Sequence, residues 1–274
     1  MTKIKHIYNI YKDKLRHVIT RVKTYSNWYT LIWPLTRLLP IKRIIRLRGG
    51  WKIMARSIFG EDFTVIHEMF YRDDYGLKRV VPLQNNAPVI LDLGANIGAF
   101  TLLAAQCFPK AKFFSFEPEA RNYASLKYNI QLNNLEGKIN AINSAVAEHA
   151  GERNFYISNY EYAHSLLQEQ VADGNRGALT VHCTTITKIF EDYHLETVDI
   201  LKLDIEGSEY AVLYQLPKYF YEKIGIICLE IHVSRENKSE DLIAFLGQQG
   251  FKVFPSLTHP RVFIFAKNTE QIKY

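Results

Sequence analysis

Two stretches of this 274-residue sequence gather groups that could do acid–base chemistry. In Val198 to Glu209, VDILKLDIEGSE, the apolar Val198, Ile200, Leu201 and Leu203 form a buried strand. That strand delivers Lys202, Asp204 and Glu206 to its carboxyl end, ahead of Gly207 and a helix starting near Ser208. Three ionisable groups at one strand end are costly to bury without partners, which implies a charge-paired, water-filled cleft. A second apolar run, Ile224 to Leu229, sets Glu230 and His232 at another strand end. A lone histidine is usually structural; a carboxylate two residues before it at a predicted cleft raises the case for proton transfer. The competing reading is a helix-capping and salt-bridge cluster, and Glu209 is read that way.

A third stretch, Val89 to Thr101, reads VILDLGANIGAFT: a strand buried on both faces, a glycine turn, then a helix. In an open α/β sheet, ligands bind at such a turn. A dinucleotide fingerprint requires G-x-G-x-x-G, whereas only Gly94 and Gly98 are present, with Ala95, Asn96 and Ile97 between them. The wider turn suits an amino-acid moiety better than a diphosphate. A second strand, Lys112 to Phe116, leads to Glu117, about 20 residues beyond the turn, where an acid can bond ribose hydroxyls. A nucleoside without a pyrophosphate points to S-adenosylmethionine. Structural glycines in another α/β crossover are the alternative.

The elements that must position these groups alternate strand and helix. After Pro118 a helix carries Tyr123, Leu126 and Ile130 on one face, and Lys138 to Asn143 is a strand followed by Ser144, Ala145 and Val146. Gly151 to Asp173 is more polar and reads as an insertion over the cleft, with a small strand at Asn154 to Ser158. Leu179 to Cys183 is a strand edge, Thr184 or Thr185 caps a helix reaching Phe190, and two closing strands lie at Phe251 to Phe254 and Arg261 to Phe265.

With 47% hydrophobic and 23% charged residues the chain can bury one large core and a small appendage. Cys107, Cys183 and Cys228 lack C-x-x-C spacing, which argues against a disulfide framework or zinc site and for a reducing cytosol. The net charge of +6 hides an asymmetry: residues 1–57 hold 14 Lys and Arg against Asp13 alone, and the remainder holds 20 against 27 acids. Ile4 to Lys23 reads as a basic amphipathic helix that can lie in an anionic membrane interface. Trp28 to Ile41 is too short and too interrupted by Pro34, Arg37 and Pro40 to span a bilayer. Ile41, Ile44 and Ile45 among Lys42, Arg43, Arg46 and Arg48 suggest a second basic helix stopped by Gly49 and Gly50. The alternative is that these helices dock on the rest of the chain or on a second subunit of a homo-oligomer. Neither a secretory signal nor a transit peptide is expected. Phe63 to Gly76, with Tyr71, Arg72, Asp73, Asp74 and Tyr75, either covers the cleft or is a solvated connection. The expected organisation is a basic helical module at 1–57, a connecting segment at 58–86 and the main α/β domain at 87–274.

On LDLGANIGAFT, FSFEP and above all DILKLDIEGSE, with its K-x-D-x-E-G-x-E pattern, the chain resembles the FkbM family of S-adenosylmethionine-dependent methyltransferases. The likeness spans Phe63 to Lys267. It implies the class I methyltransferase fold, a Rossmann-like, doubly wound, seven-stranded and mostly parallel sheet with its last strand antiparallel. It also implies methylation of a hydroxyl on a sugar, glycolipid or natural product. Carried over, Asp92, Gly94, Asn96 and Gly98 surround the methionine part, Glu117 the ribose, and Ala145 and Val146 the adenine. Asp204 and Glu206 face the transfer site. A sulfonium methyl is already activated, so the protein must align an oxygen and remove its proton. His232 or Glu206 is the expected base, oriented by Asp204 and Glu230, with Lys202 neutralising part of the acidic cluster. No metal is expected, since the spacing matches no metal motif, and nucleic acid is not an expected partner. A nicotinamide-dependent oxidoreductase and a membrane-associated scaffold without catalysis are the alternatives. The expected location is cytoplasmic, peripheral on the membrane face if residues 1–57 attach there.

Overall fold

The computed structural model describes residues 24–26, 43–56, 60–80, 83, 85–158, 164–171, 177–234 and 236–267. Two compact units, Met1–Tyr71 and Arg72–Tyr274, make up the chain. The expected amphipathic helix at Ile4 to Lys23 and the broken apolar stretch at Trp28 to Ile41 lie outside the described residues.

In the N-terminal unit the second basic helix is not formed; Arg43–Arg46 is a strand, β1, paired antiparallel with β2, Lys52–Ala55. The isoleucine spacing that suggests a helix belongs instead to an alternation: Ile44 and Arg46 face solvent while Ile45 and Leu47 are buried. Gly49 and Gly50, at φ 99° and 90°, turn the hairpin rather than stop a helix. Helix α1, Glu61–His67, follows, and its buried Asp62 takes both the backbone N–H and the guanidinium of Arg56. One π-helical turn spans Glu68–Arg72.

In the C-terminal unit the elements run β3 (Val89–Leu93), α2 (Ala99–Cys107), β4 (Lys112–Phe116), α3 (Ala120–Leu132), β5 (Ile139–Ile142), β6 (Ala145–Val146), β7 (Gly151–Tyr156), β8 (Ala178–Thr184) and α4 (Ile186–Asp192). They continue with β9 (Val198–Leu203), α5 (Glu209–Gln215), α6 (Lys218–Tyr221), β10 (Ile224–Glu230), α7 (Ser239–Gln248), β11 (Lys252–Pro255) and β12 (Val262–Ala266). Seven strands form one sheet in the order β11-β12-β10-β9-β3-β4-β5. Every pairing from β10 through β5 is parallel, and β12 is antiparallel to both neighbours. This is the doubly wound α/β sheet of a class I methyltransferase, with the last strand reversed as expected.

The sheet is buried on both faces, so its central strands are mostly apolar: Leu91, Phe114, Leu201, Ile227 and Leu229 lie in one core. Among the described residues no helix is long and apolar enough to cross a membrane. Of the polar insertion, Gly151–Tyr156 forms β7, which pairs antiparallel with β8 in a second, three-stranded sheet, β6-β8-β7. The parallel register sets the chemistry. Asp92 on β3 lies level with Lys202 on β9 and with Ser115 on β4, and every loop leaving a carboxyl end opens on the same edge.

Candidate active site

The turn after β3 is built backbone against backbone. Gly94 N–H and Ala95 N–H both donate to the carbonyl of Phe116, at 3.0 and 2.8 Å. A Cβ on Gly94, at φ 79°, would stand 1.9 Å from the carbonyl oxygen of Asp204. Glycine is therefore required by the packing of the turn on the end of β9. A Cβ on Gly98 would meet the Leu126 side chain at 2.7 Å, so this glycine sets the fit of α2 on α3. Asn96, at φ 51°, donates its N–H to Glu117 Oε2 at 2.8 Å and accepts from Ile97 N–H on its own side chain. Glu117 accepts a second backbone N–H, that of Glu119, on Oε1 at 2.9 Å. Burial pushes its carboxyl up to about 7 despite those two donors.

Asp92 is wholly buried and faces inward: Thr101 Oγ1 donates to its Oδ2 at 2.5 Å, and Lys202 Nζ lies 3.3 Å from Oδ1. Lys202 also donates to the carbonyl of Gly94 at 2.7 Å and stands 3.6 Å from Asp204 Oδ2. Burial opposes its charge, but Asp92 and Asp204 outweigh that cost and raise its pKa. Ala145 and Val146 are buried in β6, paired with Cys183 and Thr184, with their side chains in the two cores.

The turn after β9 holds the acidic cluster. Glu206 adopts φ 53° and Gly207 φ 100°, conformations that need external support for a residue with a Cβ. Support comes from Glu209 at the start of α5, which is fully buried and accepts Ile205 N–H on Oε1 at 3.0 Å and Gly207 N–H on Oε2 at 2.9 Å. The insertion contributes too: Ser165 Oγ donates to the Glu206 carbonyl at 2.6 Å, and the Gln170 side chain lies against Gly207. The segment read as covering the cleft therefore touches this turn.

His232, two residues past β10, presents Nδ1 to Glu209 Oε1 at 3.0 Å. Its Nε2 faces Glu206 Oε2 at 3.4 Å and Glu230 Oε1 at 3.7 Å. Burial disfavours the imidazolium, but Glu209, then Glu206 and Asp204, push its pKa up to about 10. Burial likewise pushes Glu206 up to about 8, against the pull of His232. Burial acts on Asp204 in the same sense, yet Lys202 and His232 win and hold it below the ordinary carboxylate range. All four expected acid–base residues thus meet at one place. The partner that orients His232 is Glu209, whereas Asp204 is engaged by Lys202 and Tyr75.

A model of the methyltransferase FkbM domain matches residues 92–253, from Asp92 past His232. The chain belongs to this family. Methyltransferase sdnD of Sordaria araneosa is 28% identical over 206 residues, covering 65% of this chain and 75% of its own length. The 31-O-demethyl-FK506 methyltransferase FkbM of Streptomyces tacrolimicus is 25% identical, covering 76% and 88%. The hexuronic acid methyltransferase AglP of Haloferax volcanii is 23% identical, covering 72% and 85%. This FkbM-family chain is a methyltransferase.

Two site residues of this methyltransferase escape a reading of its sequence. Tyr75, buried, donates its hydroxyl to Asp204 Oδ2 at 2.9 Å and lies 3.5 Å from Glu230 Oε2. Its only sequence signal is a place among the polar residues of Phe63 to Gly76. Arg261, on the loop before β12, pairs with Glu230 Oε1 at 2.8 Å. Ligand atoms of Asp204, Glu230 and His232 lie within 4.8 Å of one another, close enough for a cation. Lys202 on Asp204 and Arg261 on Glu230 already supply positive charge to that group.

Proposed function

We propose that this methyltransferase uses S-adenosylmethionine to methylate a hydroxyl of a sugar, glycolipid or natural product, with His232 accepting the hydroxyl proton. The observation that carries this reading is the buried Glu209–His232 pair, which holds Nδ1 and turns Nε2 toward the acidic cluster. The relatives' names are consistent with it, since one describes O-methylation of a natural product and another methylation of a hexuronic acid.

The site's donor set suits the cofactor. Its cationic sulfonium and ammonium groups match a strand edge carrying Glu117, Asp204, Glu206 and Glu230. Each Glu117 oxygen spends one lone pair on a backbone N–H and keeps another for a ribose hydroxyl. The turn from Gly94 to Gly98 would hold the methionine part, with Asp92 bracing it from behind through Lys202, and the backbone of Ala145 and Val146 would flank the adenine. Bound, S-adenosylmethionine supplies a methyl already activated by its sulfonium.

The chain's task is then to place an oxygen and take its proton. His232 must be neutral to do so, and a cation bound among these carboxylates disfavours the imidazolium by like-charge repulsion. As the hydroxyl proton moves to Nε2, the positive charge on the ring is balanced by Glu209 at Nδ1, and Nδ1–H is kept in the tautomer the transfer requires. Asp204, held by Lys202 and Tyr75, and Glu230, held by Arg261, can accept hydrogen bonds from other acceptor hydroxyls.

The test is to offer glycan, lipid and natural-product extracts with S-adenosylmethionine and search by mass spectrometry for the gain of one CH₂ on oxygen. No acceptor-dependent gain, or binding of NAD in place of S-adenosylmethionine, would overturn the proposal.

A further inference from the structure

Glu206 is the carboxylate of the acidic cluster that the proton transfer leaves without a task, and its backbone is left-handed, at φ 53°. Asp204, Glu209 and Glu230 repel its charge, yet its Oε2 stays 3.4 Å from His232 Nε2 and its side chain is 20% exposed. A carboxylate pressed by like charges moves out to water unless its backbone is held. The holding point is the peptide between Glu206 and Gly207, which is fixed at both ends. Its N–H donates to Glu209 Oε2 at 2.9 Å, and its carbonyl accepts from Ser165 Oγ of the insertion at 2.6 Å. Leu167 N–H donates to that same Oγ at 2.9 Å, so the serine's one proton is committed to the Glu206 carbonyl. The Gln170 side chain covers Gly207, its Cγ 2.7 Å from where a Cβ would stand. Ser165 is anchored in turn. It is fully buried and exchanges two backbone hydrogen bonds with Tyr156 at the end of β7, at 2.7 and 3.1 Å. Its neighbour Leu166 packs, with Phe155, against Val181 and Cys183 in the core of the three-stranded sheet.

We propose that Ser165, with Gln170 beside it, is a positioning residue that keeps Glu206 on His232, which makes the inserted sheet a working part of the acid–base site. Without the serine hydroxyl the Glu206–Gly207 peptide loses one of its two anchors, and the glycine that follows lets it rotate. The Glu206 carboxylate then yields to the repulsion of its neighbours, and His232 loses an anion on its Nε2 side. Glu209 acts on the ring directly at Nδ1, whereas Ser165 acts on it only through Glu206. The inference rests on the reading of His232 and its carboxylates as the place of proton transfer.

The His232 ring is titrated by nitrogen-15 NMR in the full-length protein, its signals assigned by their absence from H232Q, so no acceptor is needed. Removing the nearby anion in E206Q should lower the titration midpoint by about one to three pH units, and S165A, which displaces it, should lower it by about one. The double variant S165A/E206Q should titrate as E206Q does, because the serine has nothing left to act through. Q170A, at a half-buried position, should move His232 in the same direction by less, and keeps the test valid if S165A folds poorly. A His232 midpoint unmoved in both S165A and Q170A would overturn the proposal. So would a fall in S165A that persists undiminished in the E206Q background, which would mark a general loosening of the site. S-adenosylmethionine affinity is measured alongside by calorimetry: a wild type that fails to bind it counts against the methyl-transfer reading, while the titrations still decide the role of Ser165.

Discussion

Replacing Glu209 by glutamine changes one atom and removes one charge where three donors converge: Ile205 N–H, Gly207 N–H and His232 Nδ1. Whichever way the amide is turned, its NH₂ meets a backbone N–H, leaving a buried donor unsatisfied at about 1 to 3 kcal/mol. If the amide oxygen stays on His232, the ring keeps its tautomer but loses the anion that balances its positive form. A charge-assisted hydrogen bond of this kind is worth about 1.5 to 3 kcal/mol, so kcat should fall by about 10- to 10²-fold. The pH profile separates this from a loss of structure. Glu209 is the largest of the charges that push His232 up to about 10, and without it the imidazole gives up its proton at lower pH. The alkaline limb, where activity rises as His232 becomes neutral, should therefore move toward acid in E209Q even as the maximum drops. S-adenosylmethionine affinity should stay within a few-fold, and a cost of about 2 kcal/mol should lower the melting temperature by about 4 to 8 °C. A folded E209Q variant with wild-type kcat and an unmoved pH profile would refute the assignment of Glu209 as the residue that positions His232.

Glu117→Gln should weaken S-adenosylmethionine binding by about 10- to 10²-fold, the loss of a charge-assisted hydrogen bond. Because burial lifts this carboxyl to about 7, wild-type affinity measured calorimetrically should rise between pH 6 and 8, and a pH-independent affinity would remove Glu117 from the ribose. Tyr75→Phe deletes the hydroxyl on Asp204 and should lower kcat/KM for the acceptor by about 10-fold while cofactor affinity holds; an unchanged value would make the contact structural only. Dialysis against a chelator should leave turnover intact, and activity lost on chelation but restored by Mg²⁺ or Mn²⁺ would show that Asp204, Glu230 and His232 hold an ion.

The sheet is legible in the sequence because its strands are buried on both faces and appear as predominantly apolar runs. Lys112–Phe116 and Val198–Leu203 form where those runs stand, and the charges after them mark the strand ends. Residues 41–48 mislead because Ile41, Ile44 and Ile45 fit helical spacing as well as strand alternation. Two β-branched neighbours and a Gly-Gly pair between short apolar runs are the better clue to a hairpin. The role of Glu209 is hidden for another reason. Its contact with His232 crosses 23 residues and exists only once β9 and β10 pair in register. Tyr75 reaches Asp204 across 129 residues, a distance no local pattern records.

Lys202 gives the two halves of the site a common currency. One ammonium donates to the Gly94 carbonyl on the turn proposed to hold the cofactor and lies 3.6 Å from Asp204, on the side proposed for the acceptor. A ligand that draws the turn off this ammonium leaves more of its charge to Asp204, and an acceptor that engages Asp204 frees the ammonium for the turn. Linkage then fixes a symmetry: whatever factor donor occupancy imposes on acceptor affinity, acceptor occupancy imposes on the donor. Titrating each ligand in the presence of the other reads that factor twice, and a lysine-to-methionine change at position 202 should bring it toward one.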